Sequence, residues 1–457
     1  MQRRDFLSAA LAALLGSMSI STQAKAPNSG TAKSKRVMVI GAGLSGLAAA
    51  RALQQQGYDV VVLEARERVG GRIWTSNQWT DIPLDFGATW IHGVKGNPLT
   101  TLADQLQARR IATSYNRAAT YNTAGQLLSN TEQQRLTQLR VQVYKVIKQA
   151  QNRASDSSLK QAVAPLLKQY PEHSEAQRFI NFILSSEIEQ EYAGSTEQLS
   201  TYWYDSAKSF NGGDVLFTDG YQVITNALAQ GLHIELGQVV QAIHWQASPV
   251  RIVTQKAEFT ADHVVVTLPL GVLQARRVQF SPELPQAKQQ AIATLGMGVL
   301  NKCYLRFPHV FWAADADWLE HIPAQHGVWT EWVSFKRAAN QPILLGFNAA
   351  DQGRTIEAWS DQQIVNSAMQ TLKTLYGKGI PEPVGYQITR WASDPFTLGS
   401  YSYNAVGTTP NTRKTLAAPV DNKLFFAGEA SQTDYFGTAH GAYLSGVRVA
   451  AEIQKTA

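Results

Sequence analysis

Three glycines, Gly41-x-Gly43-x-x-Gly46, directly follow the apolar run Val37–Ile40 and open a stretch with helical spacing at Leu44, Leu47, Ala48 and Leu53. Such a pattern suits phosphate binding. The first two glycines permit a tight turn and a close backbone approach to a pyrophosphate. The third lets a helix pack on a strand, and the helix N-terminus offers N–H donors to the phosphates. Glu64 closes a second apolar run, DVVVL, 18 residues after Gly46, where a carboxylate can accept hydrogen bonds from an adenosine ribose. Strand, turn, helix, strand and acid together describe a dinucleotide site, with FAD and NAD both open at this point.

Lys302 is the second residue suited to chemistry. It lies in NKCYLRF, a strand-like run in which Leu300 and Tyr304 share its face. A charge there is either directed at a site or guards an edge strand against aggregation. Metal chemistry is not expected. Cys303 is the one cysteine, which excludes an intramolecular disulfide and a thiolate cluster, and the nine His show no H-x-x-x-H or H-E-x-x-H spacing.

The elements that must position these residues follow from periodicity. From about 130 to 191 the pattern is helical: Leu136, Leu139, Val143 and Ile147 share one face, then Leu159, Val163 and Leu166, then Phe179, Phe182 and Ile183. Strand-like runs appear at IELGQVVQAIHW, RIVTQ, DHVVVTLPL, NKCYLRF, PILLGF and NKLFFAGEA, and a glycine-rich stretch leads into a final helix near Gly441. A chain of 457 residues suggests two or three domains, or one large domain with an insertion.

Charge is unevenly distributed. The formal +6 includes +5 from residues 1–36, which hold Arg3, Arg4, Lys25, Lys33, Lys35 and Arg36 against Asp5 and leave +1 on the rest. A near-neutral body gives no reason to expect a nucleic-acid groove. The start, MQRRDFLSAALAALLGSMSI, has the twin arginine, short apolar run and small residues of an export leader, with cleavage expected after Ala24 or Ala26. Its apolar run falls short of the ~20 residues that span a bilayer, so no stable membrane anchor is expected. Twin-arginine export machinery and a periplasmic location are the corresponding expectations.

Beyond Glu64 the wording becomes specific. ARERVGGRIWT, with Ala65, Arg66, Gly70, Gly71 and Arg72, resembles the second glycine-rich signature of the flavin monoamine oxidase and polyamine oxidase superfamily. DFGATWIHG (85–93), LPLGVL (268–273), NKCYLRF, RWASDPFTLGSYSY (390–403), FFAGEA (425–430) and GTAHGAYLSG (437–446) match it in the same order. GATWIHG and GTAHGAYLSG are worded most like polyamine oxidases and their histone-demethylase relatives.

The resemblance implies an α/β fold: a Rossmann-like FAD-binding domain (37–115, 215–273, 389–457) interleaved with an α+β substrate domain (116–214, 274–388), after a leader (1–26) and linker (27–36). It implies hydride removal from the carbon next to an amine nitrogen, delivery to the flavin, imine hydrolysis, and reoxidation by dioxygen to give peroxide. By the same resemblance Lys302 holds a water at the flavin, Tyr401 is one wall of an aromatic cage, and His92 faces the substrate. Gly41, Gly43, Gly46, Glu64, Ala65, Arg66, Gly71, Arg72, Ala88, Thr89, Trp90, Val240, Trp391, Glu429, Thr438 and Ala439 would hold FAD. Thr438 stands where monoamine oxidases have the second cage tyrosine, leaving the cage half open and favouring a longer amine. The C-terminal motif around Tyr443 has no cysteine, so FAD is expected to be non-covalent.

Glu187 and Glu191, at i,i+4 with Glu189 between them, could pair with distal ammoniums of spermine or spermidine, or be a solvated helix face. Asp205 and Asp214 are further candidates. Alternatives on the same scaffold are an L-amino-acid or monoamine oxidase, a dehydrogenase with another electron acceptor, and a flavin-containing peptide-binding module.

Overall fold

Val37–Ile40 are all buried, so the first strand is covered on both faces, the burial pattern of a parallel sheet between helices. The computed structural model describes residues 35–456, so the expected leader (1–26) lies outside the described residues. In chain order, β1 (Arg36–Ile40), α1 (Leu44–Gln55) and β2 (Asp59–Leu63) come first. Then come β3 (Ala118–Tyr121), α2 (Asn130–Ala150), β4 (His233–Glu235) and β5 (His263–Val266). The remainder supplies β6 (Leu300–Arg306), β7 (Trp318–His321), β8 (Glu331–Ser334), β9 (Ile343–Ala349), β10 (Gly385–Ile388), β11 (Leu424–Phe426) and α3 (Ala439–Gln454).

A five-stranded parallel sheet has the order β11-β5-β1-β2-β4. The turn between β1 and α1 needs its glycines for two reasons. Gly41 has φ +105°, and a Cβ on Gly46 would lie 2.0 Å from the Gly41 carbonyl oxygen. On one face of the sheet, Leu47, Ala50 and Leu53 of α1 pack with Val449 and Ile453 of α3. Each fully buried Leu or Val there stabilises the fold by roughly 1.5–3 kcal/mol.

The second sheet has six strands in the order β10-β6-β9-β8-β7-β3. It is largely antiparallel, with β3 and β7 parallel at the far edge. Its two faces differ, as period-2 alternation requires. Cys303 and Leu305 pack with Trp329, Trp332 and the helix Asp361–Tyr376, while Tyr304, Leu345 and Phe347 pack with Phe86 and Trp391. Between β3 and β4 in sequence lies a helical region. α2 starts at a capping box formed by Ser129 and Glu132 and buries Leu136, Leu139, Val143 and Ile147.

One expected helix differs in kind. Residues Ile183–Glu189 form a π-helix between the α-helices Glu175–Phe182 and Gln190–Tyr192. The wider turn removes the α-helical i,i+4 relation expected of Glu187 and Glu191. Among the described residues, no helix is long and apolar enough to cross a membrane.

Candidate active site

A cavity of about 2430 Å³ begins at the glycine turn, passes between the two sheets and continues along α2. That is larger than the ~300–1,000 Å³ of an ordinary small-molecule pocket. It suits a dinucleotide plus a second ligand. Gly41, Gly43, Glu64, Ala65, Arg66, Gly71, Arg72, Val240, Trp391, Glu429, Thr438 and Ala439 line it. Gly46 does not, because it is spent on the close approach to Gly41.

The first part fits a dinucleotide on its own geometry. No side chain caps α1, so the N–H groups of its first turn lack a side-chain acceptor. A Cβ added to Gly43 would meet nothing within 4 Å, so the backbone lies open to a ligand. Glu64 is buried and accepts from the N–H groups of Ala42 (2.7 Å) and Arg66 (2.9 Å), tying the glycine turn to the end of β2. Burial raises its pKa, against those two bonds and the charges of Arg66 and Arg68.

Arg66 pairs with Asp394 at 2.6 Å, and Arg72 with Glu429 at 2.8 Å. Glu429 is fully buried. It also accepts from the Ser402 hydroxyl (2.6 Å) and the Gly437 N–H (2.9 Å). Burial pushes its pKa up, but Arg72, Ser402 and Arg413 outweigh that and hold it below the usual carboxylate range. The Thr438 hydroxyl accepts from the Gly441 N–H (2.9 Å) and donates to the Tyr435 carbonyl (2.7 Å), which makes it the N-cap of α3.

The second part begins at Lys302. β6 is flanked by β9 and β10, so the edge-strand alternative does not apply. Its Nζ donates to the carbonyls of Asp85 (2.7 Å) and Gly87 (2.6 Å) and to the Thr89 hydroxyl. Ala88, Thr89, Trp90 and His92 continue along the same wall. Trp90 donates its indole N–H to Thr113 (3.0 Å), and Trp391 donates to the Phe86 carbonyl (3.2 Å). His92 is half-buried, its Nδ1 3.1 Å from Asp214, whose other oxygen accepts from the Gly93 N–H at 2.9 Å. Tyr401 donates to the Gln190 carbonyl at 2.6 Å, and burial pushes its pKa well up, so it is a neutral phenol.

Several lining residues were not found from the sequence. A stack of rings, Tyr115, Trp318 and Trp90, runs along one side with centroids 4.3 Å and 5.7 Å apart. A polar row crosses the six-stranded sheet on the cavity face: Lys302 opposes Phe347, Glu320 opposes Glu331, and Thr120 sits beside Glu320. The β8–β9 register, Trp332 to Gly346, sets Glu331 next to Phe347 when carried on by one residue. All five side chains line the cavity.

The expected carboxylates are placed differently. Glu187 and Glu191 both line the cavity, but Glu187 is bound by the Arg140 guanidinium (2.7 Å) and the Tyr144 hydroxyl (3.2 Å). Glu189 points elsewhere, to His326 and Thr196. Asp205 lines the far end beside Lys148 and Gln151. Among the described residues no group of His, Cys, Asp and Glu is arranged to hold a metal, and Cys303 is a buried free thiol.

A parallel nucleotide sheet, a second sheet presenting a lysine to the same cavity and an aromatic-lined chamber beyond it define an FAD-dependent amine oxidase. The chain belongs to the flavin containing amine oxidoreductase family, matching it over residues 44–454. It is 35% identical over 435 residues to polyamine oxidase 4 of Oryza sativa subsp. japonica, covering 92% of this chain and 88% of that one. To lysine-specific histone demethylase 1 homolog 2 of Arabidopsis thaliana it is 35% identical, over 93% of this chain and 59% of that protein. The fold is also that of a solved putrescine oxidase, wild type bound to putrescine (TM-score 0.75, 22% identity, 92% of this chain and 99% of that chain).

Proposed function

We propose that this amine oxidase acts on polyamines or diamines and uses dioxygen as its electron acceptor. One observation carries the reading: the Glu320–Glu331 pair on the cavity face of the sheet that presents Lys302. At a strand spacing of about 4.8 Å, Glu331 lies two strands and Glu320 three strands from Lys302, roughly 10 and 14 Å across the sheet. Both carboxylates line the cavity beyond Phe347, where an ammonium farther along a substrate chain can be received by charge-assisted hydrogen bonds. A substrate with one amine near Lys302 and a second cation farther along the chain suits this spacing. The polyamine oxidases among its relatives support the same reading.

Bound FAD supplies the hydride acceptor and passes the electrons on. The protein's own task is to bind, orient and exclude water. The reacting nitrogen must be neutral, and the apolar wall of Trp90, Trp318 and Phe347 disfavours an ammonium there. His92, oriented by Asp214, is placed to take a proton from the amine. Thr438 leaves the cage open on one side, which suits a chain that extends past Tyr401.

We also propose export by the twin-arginine route to the periplasm, supported by the order of residues 1–26. Fractionation of cells expressing the full chain and an Arg3→Lys/Arg4→Lys variant tests it. Peroxide release from the purified enzyme with putrescine, spermidine, spermine, acetylated polyamines, monoamines and L-amino acids tests the substrate class. Turnover confined to L-amino acids or monoamines would sink the polyamine reading. Flavin reduction without peroxide would replace dioxygen by another acceptor.

A further inference from the structure

Strand alternation turns Asn301 away from the cavity that its neighbour Lys302 faces. The side chain is buried, and a backbone N–H at one end and a carbonyl at the other fix its orientation. Oδ1 accepts from the Trp391 N–H (3.0 Å) and the Thr389 hydroxyl (3.3 Å). Nδ2 donates to the Gly353 carbonyl (3.1 Å) and to the Glu357 carboxylate (2.7 Å). A backbone N–H cannot accept and a carbonyl cannot donate, so a reversed amide would break both contacts. Both donors and both acceptor positions of the amide are in use. The Thr389 hydroxyl in turn accepts from the Lys302 N–H at 2.8 Å.

Glu357 ends the helix Ala350–Glu357 and extends the link. Its carboxylate also accepts from the N–H groups of Ala392 (2.7 Å) and Ser393 (2.8 Å), two charge-assisted bonds. Three consecutive amides, Trp391 to Ser393, are thus held by two side chains that bond each other. On the cavity side the connection closes a second time. Lys302 donates to the carbonyls of Asp85 and Gly87, and the Trp391 indole donates to the Phe86 carbonyl between them. Lys302 and Trp391 are therefore tied together through Asn301 behind the wall and through residues 85–87 in front. Both line the cavity, whereas Asn301 and Glu357 do not.

We propose that Asn301, backed by Glu357, is a positioning residue that sets the Trp391 indole against Lys302 in the wall of the flavin cavity. It acts through those two residues. A buried polar network with every member satisfied holds one arrangement. Without the Asn301 bonds the Trp391–Ser393 turn is released, and the wall loses its fixed spacing although every residue that lines it is unchanged. The inference rests on the FAD reading and not on the choice of amine.

The test reads the flavin and needs no amine. Visible circular dichroism of oxidised holoenzyme reports the surroundings of the bound flavin. Rapid mixing of dithionite-reduced holoenzyme with dioxygen gives the reoxidation rate. Asn301→Asp keeps an acceptor for Trp391 but sets a second carboxylate against Glu357 and the Gly353 carbonyl. It is expected to alter the dichroism and to slow reoxidation by about 10–100-fold, the scale of a 1 Å misplacement. Adding Glu357→Gln returns a donor to that contact and should recover part of both signals. In a Lys302→Met background, Asn301→Asp should slow reoxidation no further. Leu166→Ala, in the core of the helical region, is the control: it should lower Tm and leave both signals alone. Unchanged dichroism and rate in Asn301→Asp, or an equal loss with and without Lys302, would overturn the proposal. Should Asn301→Asp not retain flavin, Asn301→Ser removes the amide without adding a charge and must change the dichroism. An unchanged spectrum there also overturns it.

Discussion

Glu331 and Glu320 oppose each other across adjacent antiparallel strands, Glu331 accepting from the Ser186 hydroxyl and Glu320 from the Thr120 hydroxyl at 2.6 Å. Both line the cavity on the face that carries Lys302. If they hold the far cation of a substrate, Glu331→Gln and Glu320→Gln should each raise KM for a diamine or polyamine by roughly 10–100-fold, the worth of one charged hydrogen bond. The kcat/KM of a simple monoamine should stay where it is. Steady-state kinetics on the two substrate types check this, and an equal loss on both would reject it.

Glu429 should govern acid stability and flavin retention together. Its carboxylate is held below the usual range by Arg72, Ser402 and Arg413 despite burial. A depressed carboxylate stabilises the fold above its unfolded value, 4.5, and that contribution is lost as pH falls through the folded value. Glu429→Gln leaves Arg413, whose own pKa burial lowers to about 9, without its buried partner. The expected cost is about 3–5 kcal/mol. Denaturant unfolding at neutral and acid pH, with flavin absorbance recorded alongside, should show a large gap between variant and wild type that closes in acid.

His326 should act in the opposite sense. Burial disfavours its cation, but the bond from Nε2 to Glu189 (2.6 Å) outweighs this and raises the pKa above 6.5. A raised histidine contributes stability that is complete below 6.5 and is lost as pH climbs through the folded value. His326→Gln should therefore lower Tm on the acid side of neutrality and leave it unchanged in alkaline buffer. Thermal unfolding at a series of pH values is the check. Because Glu189 sits in the π-helix beside Glu187, a pH-independent effect would mean that the histidine matters only for packing.

The glycine turn, the strands of the parallel sheet and Lys302 are legible in the sequence because each rests on a local rule. A positive φ at Gly41, a run of four buried residues and a charge inside an apolar strand can all be read from a few neighbours. The Glu320–Glu331 pair cannot. It exists only because β7 and β8 meet in one register, and that is set by pairing along the whole sheet. WLEH and TEWVS do not announce a shared face. Glu187 and Glu191 both line the cavity, but by a backbone geometry that the sequence does not show. Their spacing promises one α-helical face, and nothing in ILSSEIE marks the switch to the wider π turn.

Gly43 and Gly46 separate binding from folding within one turn. Gly43 has φ −73° and ψ 174°, which any residue adopts, and a Cβ there meets no atom within 4 Å. Gly43→Ala should leave the apo fold intact, or stabilise it by about 0.4–1 kcal/mol through the unfolded chain. The added methyl lies where the backbone is open to the cavity, so it should cost flavin. Gly46→Ala differs because its Cβ would lie 2.0 Å from the Gly41 carbonyl oxygen and 3.1 Å from the carbon behind it. Backbone must move, at a cost of roughly 1–3 kcal/mol, and the apo protein itself should be less stable. Flavin content by absorbance and Tm of the flavin-free protein, measured on both variants, read the two effects apart. Full flavin occupancy in Gly43→Ala at wild-type affinity would mean that the pyrophosphate does not rest on this turn.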